Sequence, residues 1–227
     1  MDISNFMHII PALAIAIFFV SIIFIVLYLE KKRTKELESE SVKIGFSFTP
    51  KADSSFISKI KVFNNFQKGY SHKAKNIMRG RRSSIGLTIC DYRYTVGGGK
   101  SSHTYNQTVV IADIGQMITG FNMTKKSIFY KIGEKFGMKD IDFDNDPEFS
   151  KKFLLKGIDE PAVRKLFSSS VRNFFDSQNL KYNVEAEGHE LVVFTPGKRI
   201  KPELMNEHIN QTLAVVRLFQ KELEKGL

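Results

Sequence analysis

The chain has 227 residues, with 34 Lys or Arg against 24 Asp or Glu, a formal charge of +10, and 42% of its residues are hydrophobic. That apolar content, with 15 Gly and 6 Pro, excludes a low-complexity disordered chain and a collagen-like one and predicts a packed core. The single cysteine, Cys90, excludes an intrachain disulfide framework and a thiolate-rich zinc site.

Residues 9–29 carry no charged side chain and are mostly Ile, Phe, Ala, Val and Leu, interrupted by Pro11, Ser21 and Tyr28. A helix over this run rises about 31 Å, matching the roughly 30 Å hydrocarbon thickness of a bilayer. A cleaved signal peptide needs a basic leader and a small-residue cleavage site. Residues 1–8 have no Lys or Arg, and the run ends in Tyr28-Leu29-Glu30-Lys31, so an uncleaved anchor is expected. Lys31, Lys32, Arg33 and Lys35 flank only the C-terminal side, which predicts a single-pass protein with its N-terminus outside and the remainder cytoplasmic. Residues 1–30 are thus tail and transmembrane helix, and 31–41 a charged juxtamembrane stalk that can continue that helix. Residues 42–227 form the cytoplasmic domain, with a subdivision near 125 equally compatible.

In the domain, Val42, Ile44, Phe46 and Phe48 alternate as a half-buried strand requires, and Pro50 ends it. Residues 55–70 repeat apolar side chains every three or four positions, predicting an amphipathic helix, after which Gly69, Gly80 and Gly86 punctuate the chain. Residues 87–96 and 104–112, rich in β-branched and aromatic types, read as a hairpin with a long 97–103 loop. A short strand is expected over 118–124, a helix over 127–136 stopped by Gly137, and another strand over 149–156. Asp159 as cap and Pro161 in the first turn announce a helix that buries Val163, Leu166, Phe167, Val171, Phe174 and Phe175. Gly188-His189 suits a type II′ hairpin turn between 181–187 and 190–194, and Pro202 opens a C-terminal helix. Interspersed strands and helices with two hairpins predict an α+β fold: an N-terminal transmembrane helix, then a mixed, mainly antiparallel sheet with packed amphipathic helices.

Chemical motifs are tested by spacing. Gly97-Gly98-Gly99-Lys100-Ser101 has Tyr94 where a phosphate-binding P-loop needs glycine, and it joins two strands, leaving at most a weak anion or headgroup contact at Lys100. Asp140, Asp142, Asp144 and Asp146 alternate, but neither EF-hand register supplies the glycine and glutamate it requires. The five histidines include no i,i+3 or i,i+4 pair, and there is no nucleophile elbow. Cys90 on a strand reads as a small buried thiol. No catalytic residue, metal site or cofactor is therefore assigned.

Charge placement carries the strongest remaining signal. Residues 30–100 hold 16 basic and 6 acidic side chains, and 59–82 hold eight basic residues and no acid. Near an anionic leaflet each such cation contributes about 1 kcal/mol. Lys73, Lys75, Arg79, Arg81, Arg82 and Lys100 are the expected lipid- or anion-binding residues. The same charge attracts nucleic acid, but an anchored domain already sits at lipid.

Several segments then bear a family likeness: Phe46-Ser47-Phe48-Thr49-Pro50; residues 63–69; Asn76 with Gly80; Asp91-Tyr92-Arg93-Tyr94-Thr95 with Gly97, Gly99 and Lys100; Gln107-Thr108-Val109; Asp142-Phe143; Pro147-Glu148-Phe149; and Phe153-Leu154-Leu155-Lys156-Gly157. Together they resemble a widespread family of bacterial single-pass membrane-anchored proteins with a cytoplasmic α+β domain and no established activity. The resemblance implies placement in a bacterial inner membrane and transfers no catalytic residue. The resulting expectation is a membrane-tethered binding or adaptor module with a basic lipid-facing surface and a free face for a protein partner. The competing class is a membrane-bound enzyme acting on a small anionic substrate near the 97–103 loop, Tyr92, Tyr94 and Gln107.

Overall fold

The structure, a computed structural model, describes residues 3–126, 139–177 and 182–225. The helix expected over 127–136 lies outside the described residues. Helix α1, Ile3–Lys43, is a single unbroken helix of 41 residues. Its apolar part is long enough to cross a membrane, and the side chains from Leu13 to Leu29 are exposed. Beyond Glu30 the same helix lies against the sheet, with Leu37 in the core at 1% exposure.

Eight antiparallel strands follow: β1 (Ser47–Lys51), β2 (Tyr70–Arg82), β3 (Ile85–Val96), β4 (His103–Asp113), β5 (Phe121–Lys125), β6 (Phe153–Gly157), β7 (Asn183–Glu187) and β8 (Glu190–Phe194). They form one open sheet in the order β1-β2-β3-β4-β8-β7-β5-β6. The α+β prediction is met, and the sheet is antiparallel throughout.

The predicted 87–112 hairpin forms in full register, with Tyr94 opposite Tyr105 and Val96 opposite His103. Gly188 takes φ 62° at the β7–β8 turn, the positive first position that a II′ turn demands. The first strand is displaced: residues 42–43 belong to α1, and β1 begins at Ser47. The helix predicted over 55–70 is shorter. Asp53 caps α2, Ser54–Ile60, through the Phe56 amide, and Asn64–Phe66 make a 3-10 turn. Gly80, read as a chain break, sits inside β2, because the Phe46 ring lies on its Cα; an added Cβ would come within 2.3 Å of that ring. The 149–156 segment divides into α3, Pro147–Lys152, and β6. The Asp159-capped segment divides into α4, Glu160–Leu166, and α5, Ser169–Ser177. The C-terminal helix α6 covers Met205–Glu224.

Two apolar layers hold the sheet. On one face Met78, Ile89, Val110 and Val193 pack with Leu37 of α1 and with Val163, Phe175, Val216 and Phe219 of α4, α5 and α6. On the other, Ala74, Ile77, Tyr92, Val109 and Phe194 pack beneath Phe56 and Ile60 of α2 and the following Phe63 and Phe66. Cys90 is buried in this second layer, and burial raises its thiol pKa, so it carries no reactive thiolate.

Candidate functional site

Two irregularities in β2 shape one end of the sheet. Between Lys75 and Met78 the strand has one residue more than β3 opposite, and Asn76 takes φ 54°, a left-handed conformation that Asn tolerates. The bulge turns Asn76 onto the face that Lys75 occupies, where its Nδ2 donates to Asp91 Oδ2 at 2.9 Å. A second shift lies between Tyr70 and Lys73, with Ser71 at φ 55°.

Asp91 is the point where α1 locks onto the sheet. Arg33 Nε donates to Asp91 Oδ2 at 2.8 Å and Arg33 Nη2 to Oδ1 at 2.7 Å, a bidentate pair, with Thr108 Oγ1 donating to Oδ1 at 3.2 Å. The side chains are 13% and 3% exposed, so this pair is largely desolvated. One turn nearer the apolar span, Glu30 accepts from Lys75 and, at 2.8 Å, from Arg199 Nη1. Burial by itself raises the Glu30 carboxyl, but the two cations outweigh it and hold the group below its ordinary range. Glu30 is the first residue after the apolar run, so these bonds fix which end of the sheet is next to the span.

At that end a cavity of about 1060 Å³ opens between α1, the start of β2, the middle of β3 and the segment that leads into α2. Val26 and Leu27 of α1 form part of its wall, with Ala52 and Ile57 opposite. Lys51, Lys73, Lys75, Arg93 and Arg199 also line it. Lys75 and Arg199 are engaged with Glu30. Lys51, Lys73 and Arg93 are exposed and make no hydrogen bond or ion pair among the described residues. The two acids of the cavity other than Glu30 are committed: Asp53 caps α2 and Asp91 holds Arg33. The space therefore combines an apolar wall continuous with the span and three uncompensated cations. His72 edges it, with Nδ1 2.7 Å from Tyr92 Oη and Nε2 3.1 Å from the Gly69 carbonyl; desolvation holds its pKa below the ordinary value.

The six residues expected to bind lipid divide into two groups. Lys73 and Lys75 line the cavity, and Lys100 lies in the Gly99–Ser101 turn that joins β3 to β4 at the same end. Arg79 is about 13 Å farther along β2 and Arg82 about 23 Å, at roughly 3.3 Å per residue. There Arg79 stacks over Phe56 at 5.4 Å, Arg81 donates to the Ser84 carbonyl, and Arg82 lies 3.3 Å from Asn206 Oδ1. Lys59 belongs with this distal group, 2.7 Å from Glu190. Of the side chains named for the enzyme reading, Tyr94 stacks on Tyr105 at 5.2 Å, and Gln107 Oε1 accepts from the Gly197 amide at 3.1 Å; Tyr92 borders the cavity.

Sequence reasoning missed Glu30, Arg33, Lys51, Asp91, Arg93 and Arg199. One signal was available: Asp91 is the sole acid between Asp53 and Asp113, set among aromatic and β-branched neighbours where an unpaired carboxylate is costly. It also missed Glu185, a strand carboxylate at 2% exposure. This group accepts from the Asn65 amide at 3.1 Å and Asn65 Nδ2 at 2.7 Å, holding the 3-10 turn against the sheet.

No known protein-family model matches the chain, and no curated protein matches it. Among solved structures it is similar to one described as the crystal structure of the mycobacterial trehalose monomycolate transport factor A, TtfA. The two superpose with a TM-score of 0.60 at 13% identity, over 84% of this chain and 94% of that one. At such identity the likeness shows a shared fold.

Proposed function

We propose that this protein is a single-pass, membrane-tethered binding module, N-terminus outside and sheet domain in the cytoplasm, whose basic end rests on the anionic leaflet of its own membrane. The observation that carries this is the pinning of Glu30, the first residue past the span, to Lys75 and Arg199. That bond directs Lys51, Lys73 and Arg93, and the turn bearing Lys100, toward the headgroup layer. Each cation held within a Debye length of an anionic surface adds about 1 kcal/mol. Arg79, Arg81 and Arg82, at the distal end, remain for a protein partner. The fold shared with the protein titled trehalose monomycolate transport factor A is compatible with this reading. The absence of a P-loop, an EF-hand register and a nucleophile elbow favours binding over catalysis.

The test uses the full chain with Ser102→Cys labelled by an environment-sensitive fluorophore, since Cys90 is buried and unreactive. In vesicles of phosphatidylcholine mixed with phosphatidylglycerol the emission should shift to the blue, and molar salt should reverse the shift. Identical emission in pure phosphatidylcholine would refute the reading.

A further inference from the structure

We propose that the cavity beside Val26 and Leu27 is a seat for one amphiphile drawn from the leaflet, its anionic headgroup held by Lys51, Lys73 and Arg93. This rests on the membrane-surface reading and goes further: a surface that merely adheres to lipid needs no cavity, and this one has an open cleft beside the apolar helix. At about 1060 Å³ the cleft slightly exceeds the roughly 300–1,000 Å³ typical of small-molecule pockets, so it has room for a headgroup and part of a chain.

Three features of the recess select the occupant. The first is charge. Three cations line it without partners among the described residues, while the nearby carboxylates are engaged by Lys75, Arg199, Arg33 and the α2 N-terminus, so the recess favours a phosphate or carboxylate headgroup. The second is the apolar wall. Val26 and Leu27 belong to the span itself, so a chain lying along them passes from recess to bilayer core without crossing water. A soluble anion would leave that wall wet, whereas each methylene buried there contributes about 0.8 kcal/mol. The third is preorganisation. The Arg33–Asp91 and Glu30–Lys75–Arg199 bonds fix α1 against β2 and β3, so the walls exist before the ligand arrives.

Native mass spectrometry of the full chain released from vesicles of equal phosphatidylglycerol and phosphatidylcholine into non-ionic detergent tests this. One retained phosphatidylglycerol per chain is expected, with phosphatidylcholine absent. Lys73→Gln combined with Arg93→Gln should reduce retention about tenfold or more, the equivalent of losing one strong contact. Ala52→Trp, with Ser58→Trp as a second and exposed filling position, should abolish retention without changing any charge. In those two variants the Ser102→Cys emission shift should persist, because adhesion to the leaflet depends on charge alone. Loss of the shift with retention intact would remove the surface reading and leave the seat. Retention unchanged by both tryptophans, equal retention of phosphatidylcholine, or equally tight binding of soluble glycerol phosphate would overturn the proposal.

Discussion

His208 shows what one buried titratable side chain does to this molecule. It sits on α6 with Nδ1 3.4 Å from Tyr182 Oη, and its Nε2 is buried with no hydrogen-bond partner among the described residues. Burial, helped by the nearby Lys198 charge, lowers its pKa from 6.5 to about 4. Between those values the unfolded chain binds a proton that the folded chain refuses, so stability falls as pH falls from 6.5 toward 4. The full shift corresponds to roughly 3 kcal/mol. Thermal melts of the full chain across this window should show a lower midpoint at the acid end, and His208→Leu should flatten the dependence. The difference between the two chains isolates His208 from Glu185, whose carboxyl burial pushes up and which therefore contributes with the opposite sign. Equal slopes would show that burial does not lower the His208 pKa. None of this was legible in the sequence, where His208 is one of five scattered histidines; only the position of α6 under the sheet desolvates it.

Elements differ in legibility for reasons that particular residues make plain. The β3–β4 hairpin announces itself because both strands are regular, so side-chain type alternates as the pleat does. Strand β2 is hidden. Its shifts after Tyr70 and Lys75 put Lys75 and Asn76 on one face in succession, which destroys a period-two pattern. The face that Lys75 presents is polar because it meets Glu30 and Arg33 of α1, the first read from the sequence as the end of the transmembrane segment and the second as part of a charged stalk. The apolar helix was fully readable, since an uncharged run of that length is long enough to cross a membrane; the docking of its continuation was not, because it depends on contacts 45 to 169 residues apart. Arg33→Met should expose how much rests on that docking. It strands the Asp91 carboxylate at 3% exposure with only Asn76 and Thr108, a change that costs about 3–5 kcal/mol in comparable buried pairs. Asp91→Asn combined with Arg33→Met should recover much of the loss, and chemical denaturation of the three chains measures it. A loss below about 1 kcal/mol, the range of exposed pairs, would show that α1 is not held there.

At the scale of the whole molecule the charge asymmetry acquires a geometry. All of the basic excess lies in residues 30–100, and β2 carries five of those cations at two ends, Lys73 and Lys75 beside the apolar helix and Arg79, Arg81 and Arg82 away from it. If the domain is cytoplasmic, as the flanking Lys31, Lys32, Arg33 and Lys35 imply, protease added outside sealed cells should leave the C-terminal portion intact, and digestion should begin only after permeabilisation. Cleavage before permeabilisation would invert the orientation and place the cavity on the opposite leaflet.

Helix α1 passes from its apolar stretch to Lys43 without a joint, and the Glu30 and Arg33 bonds clamp it immediately after the last apolar turn. In a bilayer such a molecule behaves as a mast with a fixed vane, unlike a bead on a string. Its height above the lipid and its heading relative to the helix axis are set by the same few bonds, so swivelling the vane requires turning the mast. Whatever meets the Arg79 end must arrive sideways, within one narrow shell of altitude, and any tilt of the span is transmitted undamped to that encounter.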